Sequence, residues 1–279
     1  MSNKKIVSLE ELTEGAAGET KETLMEEIRK HFPDAVMNKA LMQNKTLTLS
    51  WLVDGLLLRG GSSLVVAEPK TGKSVLARQI ALAVSQGQDI FNREVKRGLV
   101  FYISVEDHPA LIKEHMKNMG VKEDDSIMWS LGRITGLKFK EAIEFICKKV
   151  RPSLIVIDTM FKVFKTNDIN DYNTMIESLQ QVTEIVRNYK SHIMYIHHLN
   201  KGGGKTKQFG EVMGGHQAPS LSRVMGSMGI AGEMDSIITL SRSGDSRFID
   251  SSYSRCGRKL DNELLFWDIK KGCYVLNDI

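Results

Sequence analysis

The chain has 279 residues, 42% of them hydrophobic, enough for one large α/β domain or two small ones. Its formal charge of +4 is mild, so charge alone does not establish nucleic-acid binding and any basic surface must be local. There is no apolar run of membrane-spanning length and no signal-peptide core, and the odd, scattered cysteines Cys147, Cys256 and Cys273 fit reduced thiols rather than a disulfide framework or zinc site; the expected location is cytoplasmic, with no membrane partner.

Residues 1–20 are polar and rich in Glu, Thr and Gly, which reads as a mobile stretch. A helix is expected from Lys21, with Leu24, Met25 and Ile28 on one face and an end near Pro33. Residues 1–45 thus form an N-terminal flexible segment and helix, and 46–279 the main domain. The apolar run 51–57 is either an entry strand or a cover to that domain.

Next comes Ser63-Leu64-Val65-Val66, a buried-strand pattern, and then Ala67-Glu68-Pro69-Lys70-Thr71-Gly72-Lys73-Ser74. This is the phosphate-binding P-loop pattern with Ala67 in place of the usual first glycine. Val75, Leu76, Ile80, Ala83 and Val84 come next on one helical face. A strand, a glycine-containing loop and a helix N-terminus together aim backbone N–H groups and the positive end of the helix dipole at one point. Residues Glu68 to Val75 are therefore the nucleotide-binding candidates: Lys73 would reach the β- and γ-phosphates of ATP, and Ser74 would ligate Mg²⁺.

Further apolar strands are expected at 99–105, ending in Glu106-Asp107; at 154–157, ending in Asp158-Thr159; and at 192–196, ending in His197-His198. A short strand is expected at 128–131, and helices at 110–120, 140–150 and across Met175, Ile176, Leu179, Val182, Val186 and Tyr189. Strand and helix alternate four times, which implies a doubly wound parallel sheet. Residues 201–222 form a glycine-rich basic loop, 224–234 a helix of small residues, and 237–240, 248–253, 264–267 and 274–276 short strands that extend one sheet edge in antiparallel fashion.

Hydrolysing a nucleoside triphosphate needs a phosphate cradle, a magnesium ion, a group to orient water and positive charge for the transition state. Asp158 is the magnesium-side carboxylate. Glu106 is placed to polarise water, with Asp107 as competitor. His197 or His198 is placed to sense the γ-phosphate, and strand alternation makes it one of the two. Lys201, Lys205, Lys207 and Arg223 frame the glycine-rich loop and could contact phosphates of a single strand.

The order of these features resembles the RecA-like P-loop ATPases. Within them the chain looks most like the RepA-type hexameric replicative DNA helicases, relatives of DnaB. The resemblance rests on Glu68 to Ser74, on Tyr102-Ile103-Ser104-Val105-Glu106-Asp107, on Ile155-Val156-Ile157-Asp158-Thr159 and on Ile196-His197-His198-Leu199-Asn200-Lys201-Gly202. It implies an α/β RecA-like core, a mostly parallel sheet flanked by helices with an antiparallel C-terminal extension. It also implies a homohexamer with ATP at each interface and single-stranded DNA in the channel, gripped by the 201–222 loop. A primase or replication initiator is a possible loading partner. The arginine supplied by the neighbouring subunit is sought in Arg255 and Arg258, with Arg242 next. Two other readings stay open: a RecA-like repair or recombination ATPase that binds DNA or protein without unwinding, and a small-molecule kinase, which the lack of an evident lid disfavours.

Overall fold

The computed structural model describes residues 21–134, 138–163, 172–198, 228–244 and 246–276. Expectations for residues 1–20, for the 201–222 loop and for the first residues of the 224–234 helix lie outside these. The chain divides into two units, Met1–Thr48 and Leu49–Ile279.

In the first unit, helix α1 (Lys21–His31) turns Leu24, Met25 and Ile28, all half-buried, to one side. The Arg29 Nε donates to Ala35 O at 3.1 Å and so secures the turn after it. A shorter helix, α2 (Asn38–Gln43), comes next. Its exit is shaped by Asn44, whose Oδ1 accepts from both Thr46 N and Thr46 Oγ1.

The second unit opens with a small antiparallel hairpin, β1 (Trp51–Val53) and β2 (Leu57–Leu58). The run 51–57 is thus not a lone entry strand; Leu52, Val53, Leu56 and Leu57 are buried in the core of the main domain, as the cover reading has it. After the hairpin the chain forms β3 (Ser62–Ala67), α3 (Lys73–Gln86), β4 (Val100–Ser104), α4 (Pro109–Asn118), β5 (Ile127–Ser130), α5 (Phe139–Lys149), β6 (Leu154–Asp158), α6 (Met160–Val163), α7 (Tyr172–Asn188), β7 (His192–His198), α8 (Met228–Gly232), β8 (Ser236–Ser243), β9 (Ser246–Asp250), β10 (Glu263–Asp268) and β11 (Cys273–Leu276). Nine strands form one sheet in the order β11-β10-β9-β8-β3-β7-β6-β4-β5. The run from β8 to β5 is parallel, and β9, β10 and β11 extend it antiparallel. This is the expected architecture.

Period-2 alternation sends successive residues of each central strand to opposite cores. On one side Val65, Val156, Met194 and Ile196 meet Leu76, Ile80 and Val84 of α3. On the other, Leu64, Val66, Ile155 and Ile157 meet Leu179, Val182 and Val186 of α7 and Ile143 of α5. Each fully buried Leu, Ile or Val contributes about 1.5–3 kcal/mol, so the central strands are pinned from both faces. Tyr189 departs from expectation. It lies just past the end of α7 and is 39% exposed, because the helix stops one residue short and the chain turns through Lys190 at φ 55°.

The strand order brings the candidate residues together. β3, β7, β6 and β4 are neighbours and all parallel, so the residues at their carboxyl ends stand side by side.

Candidate active site

β3 delivers Ala67 to the loop 68–72 in strand register, opposite His198 of β7 and Leu240 of β8. The left-handed positions of the loop come later, at Lys70 (φ 62°) and Gly72 (φ 107°). Alanine is therefore accommodated where the common pattern has its first glycine. Gly72 is different: besides its positive φ, a Cβ there would overlap the Tyr274 hydroxyl. That hydroxyl donates to Thr71 O at 3.3 Å, and Thr71 Oγ1 donates to Glu68 O at 2.8 Å, so the loop is braced from within and from β11.

Lys73 is 4% exposed, and its Nζ donates to Ala67 O at 3.0 Å and Glu68 O at 2.9 Å. Burial lowers its pKa to about 8 against the attraction of Asp158, Glu106 and Glu68. Near pH 8 a fraction of the lysine is therefore neutral, and an arriving polyphosphate, being anionic, draws a proton back. ATP binding should take up part of a proton near pH 8 and weaken as pH rises further. Calorimetric titration at pH 8 in buffers of different ionisation enthalpy should show the uptake; a heat independent of buffer would contradict it.

Asp158 ends β6 and is 1% exposed. Burial raises its pKa, while the Tyr102 hydroxyl (2.8 Å to Oδ2), Ser74 Oγ (3.2 Å to Oδ1) and the charge of Arg78 oppose that rise. A buried carboxylate bonded to the P-loop serine matches what Mg²⁺ takes from protein, one hydroxyl and one nearby carboxylate, with phosphates and water completing an octahedron. Among the described residues no cluster of three or more His, Cys, Asp or Glu side chains could hold a metal by itself. Mg²⁺ bound there would neutralise charge on the phosphates.

Glu106 lies two residues past the end of β4. Its Oε1 accepts from Thr159 Oγ1 at 2.9 Å and pairs with Lys162 Nζ at 3.1 Å, and its Oε2 stands 3.8 Å from His198 Nε2. Burial would raise its pKa, but the bonds from Thr159 and Lys162 and the charges of Lys162 and His198 carry it below the usual value. A carboxylate held low is a weak proton acceptor, so the geometry suits orienting water more than removing its proton. Asp107 points elsewhere: it is paired with the buried Arg78. Of the two carboxylates, Glu106 is the one that faces Thr159, Lys162 and His198.

His197 and His198 are both within β7 and alternate. His197 is buried at 1% exposure; His198 faces Glu106. Burial lowers the pKa of His198, the Lys73 charge lowers it further, and Glu106 resists. The net shift favours the neutral imidazole, which can give or take a hydrogen bond. His192, fully buried, bonds Leu58 O and Ser63 Oγ and has no place in the site.

Residues 27–204, well over half of the chain, match the AAA_25 family, described as an AAA domain. The chain belongs to that AAA family. No curated protein matches it in sequence. The AAA chain is similar in structure to a KaiC-like protein, PH0186, from Pyrococcus horikoshii OT3, with a TM-score of 0.56 and 12% identity over 81% of this chain and 93% of the other. The fold is therefore RecA-like.

In this AAA site the P-loop, Ser74, Asp158, Glu106 and His198 converge at one sheet edge. The two late arginines do not. Arg255 pairs with Asp235 at 4.0 Å and bonds Gly232 O, and Asp235 in turn accepts from Ser62 N at the start of β3. Arg258 pairs with Asp54 at 3.7 Å and bonds Asn92 O. Both stand at the amino edge, opposite the chain's own P-loop, whereas Arg242 is the penultimate residue of β8, at the carboxyl edge, and bonds Gly244 O. Lys201, Lys205, Lys207 and Arg223 lie outside the described residues.

Sequence reasoning missed Lys162, Arg78 and Tyr274, and it quoted Tyr102 and Thr159 within the resembling stretches without giving either a role. Tyr102 and Arg78 sit inside apolar patterns that hide a polar tip. Lys162 lies on a four-residue helix too short to show a period. Thr159, directly after Asp158, was the one with a visible signal. Among the described residues no helix is long and apolar enough to cross a membrane, and the three cysteines are free.

Proposed function

We propose that the protein is an ATP-hydrolysing, ring-forming motor on single-stranded DNA, a replicative helicase of the RepA type from a plasmid, phage or other mobile element. The observation that carries this reading is His198: it faces Glu106 at 3.8 Å and is the last residue of β7, immediately ahead of the glycine-rich segment with Lys201, Lys205 and Lys207. Loss of the γ-phosphate would be felt by the imidazole and passed to that segment. Its lysines, with Arg223, are assigned to the DNA backbone.

Lys73 and the loop 68–72 hold the phosphates, Ser74 and Asp158 hold Mg²⁺, and Glu106 orients water. Arg255 and Arg258, distant from the chain's own P-loop, are assigned to the site of a neighbouring subunit, in keeping with a homohexamer. This assignment rests on the resemblance and on their position at the opposite edge.

The test is strand displacement on a forked DNA duplex, with native mass measured in parallel. Unwinding by a closed hexamer supports the proposal. ATP-dependent DNA binding by open filaments, without displacement, would instead favour a repair or recombination ATPase.

A further inference from the structure

One ionic cluster lies beside the site without touching the P-loop, Ser74 or Asp158 by a hydrogen bond, although the Arg78 charge is felt at Asp158. Arg78, one turn beyond Ser74 on α3, is 0% exposed. Its Nη2 bonds Asp107 and its Nη1 lies 2.7 Å from His115 Nδ1 on α4. Its Nε has no hydrogen-bond partner among the described residues. A guanidinium only donates, so His115 Nδ1 must be the acceptor and the imidazole must be neutral with its proton on Nε2. The cluster thus ties the P-loop helix, the segment after β4 and α4 together at the residue next to Glu106.

We propose that Arg78 is a positioning residue for Glu106, acting through Asp107, and that His115 makes this positioning sensitive to acid. The inference rests on Glu106 being the water-orienting carboxylate. With His115 neutral, the guanidinium is held by two acceptors and fixes Asp107, leaving its neighbour Glu106 turned to Thr159, Lys162 and His198. A protonated His115 loses its acceptor and places a second cation against Arg78. The charged groups that bear on it are Arg78 from α3, Asp107 from the segment after β4, and Glu114 on its own helix. Burial and Arg78 lower its pKa from 6.5, against Asp107 and Glu114, so the contact is intact at neutral pH and is lost on acidification through a value below 6.5.

The discriminating variant is His115→Asn, whose Oδ1 falls where the imidazole Nδ1 was and does not titrate. The wild-type kcat for ATP should fall on acidification below the ordinary imidazole range, roughly tenfold per unit once the imidazole is mostly protonated. His115→Asn should lose this acid limb, with KM for ATP and Tm unchanged. Asp107→Asn, which keeps the shape and weakens the pairing, should lower kcat about tenfold at pH 7.5 without raising KM. Superimposable pH profiles for wild type and His115→Asn, or an Asp107→Asn defect confined to Tm, would overturn the inference while leaving the ATPase reading in place. Full activity in Glu106→Gln would remove the reading beneath it, and the inference with it.

Discussion

Replacing Lys73 with alanine is expected to abolish turnover and sharply weaken nucleotide binding. Lys73 is the P-loop cation, and its ammonium is already buried and held by two loop carbonyls. A hydrogen bond to a charged group contributes about 1.5–3 kcal/mol, so ATP affinity should fall about 10- to 100-fold. The transition state, with more charge on its equatorial oxygens, loses more: removing one preorganised donor of this kind lowers kcat by about 10²–10³-fold. Lys73→Arg should not rescue, because the guanidinium fork is too broad for a position framed by Ala67 and Glu68 carbonyls. Phosphate release and fluorescent-nucleotide binding measure the two losses separately. An alanine variant keeping a tenth of wild-type turnover would show that another group serves the phosphates.

The second large effect belongs to Glu106→Gln. The amide oxygen can still accept from Thr159 Oγ1 and from Lys162, so the local geometry should survive while the negative charge is gone. ATP binding should be unchanged within about threefold, and kcat should fall by about 10²–10³, within the range found for positioned acid–base groups. The variant should therefore hold ATP without turning it over. A loss of binding equal to the loss of turnover would mean that Glu106 supports the fold of the loop rather than the chemistry.

Most of the sheet was legible because its central strands are continuous apolar runs bounded by turns, and α3, α5 and α7 carry a helical period that packing then uses. The site was legible to the same extent. Lys73, Ser74, Glu106, Asp158 and His198 each stand at a strand end or open a helix, and strand ends in a parallel sheet converge. What the pattern hides is side-chain direction. Asp107 and Glu106 are adjacent in sequence, and only the burial of Arg78 beneath Asp107 separates their roles. Tyr274 reaches Thr71 across 203 residues, with Gln79 bonding its backbone N–H and C=O, a relation no local period encodes. The hairpin of β1 and β2 escaped for another reason: its strands are three and two residues long.

The central claim is that hydrolysis at this edge is coupled to a single DNA strand through the segment after His198. The direct measurement is the steady-state ATPase rate with and without single-stranded DNA, taken between about 50 and 200 mM salt, the range over which phosphate contacts weaken most visibly. The account predicts stimulation by DNA that declines steeply with salt and is reduced in a Lys205→Ala, Lys207→Ala variant. A rate that is the same with and without DNA at every salt concentration, and unaltered by those two substitutions, would contradict it.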